Sequence, residues 1–212
     1  MRALLLTGGE APPLSAVAGH LGRFGLVCAA DSGLDLAATW GLEPDLIAGD
    51  MDSVSDLGLV GAYPRARVHF VPREKDETDT ELGLRLLREA GANRVVLAGG
   101  GGGRLDHLLA VRALFERADG PEEWWAPGER VLRLSGGRSW KAEPGSLVSV
   151  FPLASGASGM SSRGLRWPLE GLEWGPGGFG VSNETVDREF SIESGAAPLL
   201  VVLPYGASDL PA

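Results

Sequence analysis

The first half of the chain alternates short, continuous apolar runs with stretches whose apolar residues recur at the helical period. That alternation predicts a mostly parallel sheet with covering helices. The strand runs are Ala3–Leu6, Leu26–Ala30, Leu46–Ala48, Val68–Val71 and Val95–Ala98. The clearest of the intervening helices is Asp79–Ala90. Thr78-Asp79-Thr80-Glu81 fits a capping box, Leu82, Leu86, Leu87 and Ala90 make the buried stripe, and Gly91 stops the helix. A second helix runs from about Asp106 to Ala118, with Leu109, Ala110, Ala113 and Leu114 facing inward.

After Ala118-Asp119-Gly120-Pro121 the pattern changes to short β runs separated by Gly, Pro and Ser. These are Val131–Leu134, Leu147–Leu153, Leu165–Leu169, Arg188–Ile192 and Leu199–Leu203. Such spacing suggests a small all-β sandwich or barrel. Ser155–Ser162 is polar and reads as a mobile loop. The fold expected is therefore an α/β domain over residues 1–125 followed by a β-rich domain over 126–212.

Composition narrows the class. At 212 residues, 44% apolar and 22% charged, the chain has the make-up of an ordinary soluble globular protein. No apolar run approaches the roughly 20 residues that span a bilayer. The leucines after Met1-Arg2 are interrupted too early, by Thr7-Gly8-Gly9-Glu10, for a signal-peptide core, so they read as the first strand. The single cysteine, Cys28, lies in an apolar run and reads as core filler. The expected location is cytoplasmic, with no membrane partner. A net charge of −9 argues against a nucleic-acid partner, because phosphate backbones are bound by clustered Lys and Arg. An acidic protein still binds a nucleotide when a divalent metal supplies the positive charge.

Ligands of open α/β sheets bind outside the carboxyl ends of the strands, and the polar groups of interest collect there. Asp31-Ser32-Gly33 follows the second run, and Gly49-Asp50-Met51-Asp52-Ser53 follows the third. Lys75-Asp76-Glu77-Thr78-Asp79 comes soon after the fourth. Asp50 and Asp52, two apart, face the same side if the segment is extended. Crowded carboxylates favour uptake of a proton or a cation, and Mg²⁺ takes such hard oxygen ligands together with substrate phosphates. An isolated Asp-x-Asp is more often simply solvated, but Asp31 and Asp76 on neighbouring strand ends favour the metal. Asp76 precedes the helix cap, where capping needs no carboxylate. Glu81, and partly Thr78, are explained by capping alone.

The run Gly99-Gly100-Gly101-Gly102-Gly103-Arg104-Leu105-Asp106-His107 is the strongest local signal. Glycines between a strand and a helix let the backbone approach a ligand and offer N–H groups to phosphate, and Arg104 adds a planar donor fork. It is neither a Walker loop nor a dinucleotide fingerprint. His107 suits a structural hydrogen bond as well as a catalytic role.

In this order, these motifs resemble thiamin pyrophosphokinase. The matching stretches are Ala30–Gly33, Pro44–Ser53, Lys75–Glu81 and Gly102–His107, then Val150–Leu153, Gly164–Leu169 and Val181–Glu184. The resemblance implies an N-terminal catalytic domain that binds ATP and a C-terminal domain that binds thiamin. It further implies a homodimer with active sites at the interface, and diphosphate transfer from ATP to the thiamin hydroxyl with release of AMP. By position, Asp50, Asp52 and Asp76 match the catalytic and Mg²⁺ cluster, with Asp31 close by. Ser32, Gly33, Thr78, Asp79, Gly102, Gly103, Arg104, Asp106 and His107 match the ATP site, and Trp167, Ser182 and Asn183 the thiamin site. Trp167 suits a cation–π face for the thiazolium ring or the core of the β domain equally. The glycine loop is richer in glycine than is usual in the family, and Val111 stands where Asn is common. Two other readings follow from the residues alone: a Mg²⁺-dependent hydrolase or phosphotransferase with another acceptor, and a non-catalytic sensor of nucleotide or thiamin.

Overall fold

Each apolar run of the first half becomes a strand of one parallel sheet. The computed structural model describes residues 1–74 and 76–211, so Lys75 of the acidic motif lies outside the described residues. Two units divide the chain, Met1–Pro127 and Gly128–Ala212. In the first, β1 (Arg2–Leu6), α1 (Leu14–Leu21), β2 (Leu26–Ala30), α2 (Gly33–Trp40), β3 (Leu46–Gly49) and α3 (Gly58–Ala62) lead to β4 (Arg67–Phe70). There follow α4 (Asp79–Glu89), β5 (Arg94–Ala98), α5 (Leu105–Leu114) and β6 (Glu123–Trp125). The strand order is β6-β5-β1-β2-β3-β4, with every pairing parallel. From β1 the chain builds outward to β4, then returns to place β5 on the other side of β1. The order reverses between β1 and β5, which is where an open α/β sheet forms its ligand crevice. Leu4, Leu5, Leu6, Ile47 and Val95 are buried in this sheet.

The box Thr78-Asp79-Thr80-Glu81 caps α4 as its spacing predicts. Thr78 Oγ1 accepts the Glu81 N–H at 3.2 Å, and Glu81 Oε2 accepts the Thr78 N–H at 2.9 Å. Leu82, Gly83, Leu84, Leu86 and Leu87 form the buried face, whereas Ala90 is exposed at the cap position. At Gly83 a Cβ would lie 2.6 Å from Leu5 Cδ1, so the helix sits close on β1 because that residue has no side chain. Thr78→Ala removes one half of the box and is expected to cost about 1 kcal/mol. A thermal unfolding scan should then show a midpoint lowered by about 2–4 °C.

The helix expected over Asp106–Ala118 is shorter and rotated. It spans Leu105–Leu114 and gives way to turns, in which Arg117 N–H donates to the Leu114 carbonyl and Gly120 N–H to the Arg117 carbonyl. Its buried stripe is Val111, Leu114 and Phe115, at spacings of three and four, while Leu109, Ala110 and Ala113 are exposed. Leu105, Leu108, Leu109, Val111 and Leu114 leave two apolar stripes to choose between, and tertiary packing takes the one carrying Val111. Cys28 is fully buried beside this sheet's core, where desolvation pushes its thiol up to about 12, in keeping with core filler.

The second unit contains β7 (Glu129–Leu134), β8 (Gly137–Lys141), β9 (Leu147–Pro152) and β10 (Ser161–Arg163). These are followed by β11 (Gly180–Glu184), β12 (Glu189–Glu193), β13 (Leu199–Pro204) and β14 (Ser208–Asp209). Antiparallel pairings give the orders β11-β9-β13-β7 and β10-β12-β8-β14. Trp140, Phe190, Val148, Val150, Leu199 and Val201 share the core, with Trp140 stacked on Phe190 at 5.3 Å between centroids. Leu165–Leu169, expected as a strand, is irregular: Leu165 makes a lone bridge to Thr185, and both leucines are buried from a non-extended path. The polar stretch Ser155–Ser162, expected as a mobile loop, is anchored. Ala157 and Trp174 exchange backbone hydrogen bonds of 2.9 Å each way, Ala157 and Met160 are buried, and Ser161–Ser162 open β10. Among the described residues no helix is long and apolar enough to cross a membrane.

Candidate active site

Two loops meet at the β1–β5 crevice and are zipped together by backbone bonds. Thr7 N–H donates to the Ala98 carbonyl (2.9 Å), Gly100 N–H to Gly8 (2.7 Å) and Glu10 N–H to Gly101 (2.7 Å), and Gly101 N–H returns to Glu10 (3.0 Å). The glycine loop therefore spends the Gly100 and Gly101 amides on its neighbour. Gly102 and Gly103, left-handed at φ +61° and +62°, have no backbone hydrogen-bond partner among the described residues, which leaves their amides uncommitted. Glu10 packs its carboxylate against Gly102, which sets a negative charge on that flank.

The Asp50–Ser53 segment is a turn, not an extended stretch. Met51 adopts φ +61° and is buried against Ala29, Leu34 and Ile47, so its side chain pins the turn while its neighbours face outward. Asp52 N–H donates to Asp50 Oδ1 at 3.2 Å, which keeps the two carboxylates together. Asp31, itself at φ +47°, accepts the Ser53 N–H on its Oδ1 at 3.4 Å. Two non-glycine residues in the left-handed region within one acidic cluster mark backbone strain stored at a site. Carboxylate oxygens of Asp31, Asp50 and Asp52 all lie within 4.8 Å of one another. Such a set of hard, anionic oxygens, partly exposed and adjoining open space, fits a divalent cation of the Mg²⁺ type.

Asp76 is exposed and stands outside this trio. Asp79, expected among the nucleotide ligands, packs on the end of β3: a Cβ on Gly49 would be 2.8 Å from Asp79 Oδ1 and 3.3 Å from the Asp31 nitrogen. Gly49 thus lets the first residue of α4 bring its carboxylate against the strand end that carries Asp50. Arg73 reaches Asp52 with Nε 3.5 Å from Oδ2. Sequence reasoning passed over Arg73; its place just past β4 was a usable signal, but its pairing with Asp52 is a tertiary fact.

A cavity of about 650 Å³ adjoins these groups, lined by Asp31, Asp50, Asp52 and Asp79 on one side and by Gly100–Arg104 and α5 on the other. Ser32, Thr78 and His107 also face it. Gly33, the buried first residue of α2, has no side chain to meet the Leu6 carbonyl oxygen, from which a Cβ would stand 2.2 Å, so α2 starts tight against β1. Arg104 Nε donates to Asp106 Oδ1 at 3.1 Å, and a second bond runs from Nη2 to Oδ2. That hydrogen bonding holds the Asp106 carboxyl below the usual carboxylate range. Asp106 therefore aims Arg104, which lines the cavity. Thr7 Oγ1 and Thr80 Oγ1, 2.7 Å apart, tie the floor of the site to α4, another contact not visible in the sequence.

In the second unit Trp167 is 54% exposed, which removes it from the core. Asn183 is buried, and its side-chain amide bonds to the Trp167 backbone. Ser182, exposed and at φ +58°, sits in the bulge of β11, with its N–H donating to Ser149 Oγ at 3.1 Å.

Comparison with known proteins places these features in context. Residues 21–120 match a family model described as thiamin pyrophosphokinase, catalytic domain, and residues 140–197 match one described as thiamin pyrophosphokinase, vitamin B1 binding domain. Thiamine pyrophosphokinase from Bacillus subtilis is similar in structure, with a TM-score of 0.81 at 20% identity over 96% of this chain and 99% of that one. Thiamin pyrophosphokinase from Geobacillus thermodenitrificans gives 0.78 at 25% identity over 96% and 97%. The yeast thiamin pyrophosphokinase gives 0.70 at 13% over 99% and 86%. No curated protein sequence matches the chain.

Proposed function

The chain belongs to the thiamin pyrophosphokinase family, and from that premise we propose that it makes thiamin diphosphate by moving a diphosphate from ATP to the thiamin hydroxyl, releasing AMP. The observation that carries this reading is the convergence of Asp31, Asp50 and Asp52 beside the 650 Å³ cavity at the sheet's switch point. These three carboxylates would hold Mg²⁺, and Asp79, which lines the same cavity while Asp76 does not, would be the fourth. When bound, Mg²⁺ supplies neutralisation of the polyphosphate charge.

The rest falls to the chain's own groups. Gly102 and Gly103 offer amides to the polyphosphate, and Arg104, held in plane by Asp106, spreads positive charge over oxygens that gain negative charge during transfer. Arg73 lines the same cavity, paired with Asp52. Ser32, Thr78 and His107 border the nucleotide. The hydroxyl oxygen bonds to the β-phosphorus as the bond to the AMP oxygen breaks, and its proton passes to a carboxylate oxygen of the acidic cluster. The thiazolium cation would rest on the exposed indole of Trp167, with Ser182, next to Asn183 on β11, as a further contact. The family resemblance supports a homodimer with active sites at the interface, in the cytoplasm.

The purified protein, given ATP, Mg²⁺ and thiamin, is expected to form thiamin diphosphate and AMP in equal amounts and to stop on addition of EDTA. ATP consumed without thiamin diphosphate would replace this reading with hydrolysis or another acceptor. Thiamin bound without turnover would make the protein a sensor.

A further inference from the structure

Trp167 projects from an irregular segment, yet its backbone is fixed at both polar atoms by one side chain. Asn183 Oδ1 accepts the Trp167 N–H at 3.1 Å, and Asn183 Nδ2 donates to the Trp167 carbonyl at 2.7 Å. The same Oδ1 also accepts the Glu184 N–H at 2.9 Å. This pattern settles the amide's orientation, since a flipped side chain would set its NH₂ against two N–H donors. Asn183 is only 7% exposed, whereas Trp167 is 54% exposed. Around this clamp the segment is tied to β11 again: Arg166 N–H donates to the Glu184 carbonyl at 2.8 Å, and the Arg166 guanidinium pairs with the Glu184 carboxylate at 2.9 Å. Arg166 is also 5.7 Å from the Trp167 ring.

We propose that Asn183 is a positioning residue for Trp167 rather than a ligand of thiamin: its amide locks the backbone that presents the indole. An asparagine is suited to this because it alone among small polar side chains offers both a donor and a strong acceptor in one plane, matching the N–H and C=O of a single residue. An ionised aspartate has no donor, and a serine hydroxyl is too short to bracket both atoms. Ordering an exposed tryptophan on a segment without regular structure costs conformational entropy. The clamp takes that cost in the folded protein, so that a cation arriving at the ring finds it already oriented. The Glu184 carboxylate holds Arg166, which limits the freedom of a like charge close to the same ring.

This inference rests on the reading that Trp167 receives thiamin, and a double-mutant cycle separates the two. Trp167→Ala should raise the thiamin KM on the order of 10-fold, the scale of a cation–π contact, with the KM for ATP unchanged. Asn183→Ala should raise the thiamin KM several-fold, roughly 3- to 10-fold, with kcat within about twofold, because it frees the ring without removing it. Combined with Trp167→Ala, the Asn183 substitution should add nothing. Equal factors in both backgrounds would overturn the proposal, since Asn183 would then act on thiamin independently of the tryptophan. An unchanged thiamin KM in Trp167→Ala would overturn the thiamin reading of Trp167 itself. Acrylamide quenching, taken as the difference from Trp167→Phe, reports the indole without any substrate. Asn183→Ala should change the quenching of Trp167, and an unchanged value would overturn the clamp whatever the ligand. Should Asn183→Ala not fold, Asn183→Asp keeps the accepted bonds and loses only the donated one. It should shift KM and quenching in the same direction, and a wild-type value in both would equally overturn the proposal.

Discussion

Asp50→Asn and Asp52→Asn should each lower kcat for thiamin diphosphate formation by at least about a hundredfold, the scale of losing one preorganised charge at a site of phosphoryl chemistry. Both replacements keep side-chain volume and remove a unit charge from a trio whose oxygens lie within 4.8 Å. The fold should survive. An asparagine at position 50 still offers an oxygen to the Asp52 N–H, now 3.2 Å away. At position 52 the loss includes the contact with Arg73, an ion pair whose arginine side chain is 83% exposed and which is therefore worth little. Relief of repulsion among carboxylates works in the opposite direction, so thermal midpoints should stay within a few degrees of wild type. The measurement is kcat beside an unfolding scan for each variant. Wild-type turnover in either would remove the acidic trio from the mechanism. The same assay applied to Asp79→Asn and Asp76→Asn ranks the two acids of the β4–α4 connection. The larger loss is expected at Asp79, which packs on Gly49 and lines the cavity, while Asp76 is exposed and does not line it.

The packing of Asp79 against Gly49 shows where sequence reasoning reached its limit. Strand runs, the capping box and the collection of acids at strand ends were legible because each depends on neighbours in the chain. Asp79 reads locally as a first-turn acid on a helix, and its match to the ATP site says nothing of the strand end it packs against. Its approach to the end of β3 follows from α4 packing down on the sheet, a long-range event that Gly83 and Gly49 permit. Met51 is a similar case. The Asp-x-Asp spacing suggested two carboxylates on one face of an extended segment. The structure achieves that end through a left-handed Met51 buried against Leu34 and Ile47. The β-rich half was less legible, because β8, β10 and β11 carry polar residues on short strands, and Leu165–Leu169 buries its leucines without extending. Trp167 could be taken out of the core only once its exposure was known.

The glycine run, read in sequence as one phosphate-binding loop, divides into glycines with different duties, and two alanine substitutions should separate them. Gly99, the residue after β5, has φ +99°, and a Cβ there would stand 2.2 Å from the Thr7 carbonyl oxygen. Neither partner has room to yield. Thr7 N–H is bonded to the Ala98 carbonyl at 2.9 Å, and the Gly99 carbonyl accepts the buried Trp124 Nε1–H at 2.6 Å. Gly99→Ala thus combines a backbone conformation costing about 1–3 kcal/mol with overpacking of similar size. A destabilisation of about 2–6 kcal/mol is expected in denaturant unfolding. Gly103 is also left-handed, at φ +62°, but a Cβ there meets nothing within 4 Å. Gly103→Ala should therefore carry the conformational cost alone, about 1–2 kcal/mol. Its main effect should appear in the KM for ATP, because the methyl group stands beside an amide offered to the polyphosphate. If Gly99→Ala unfolds no more readily than Gly103→Ala, the close approach of the β1 and β5 ends does not limit stability. If Gly103→Ala leaves the ATP KM unchanged, that amide has no part in holding the nucleotide.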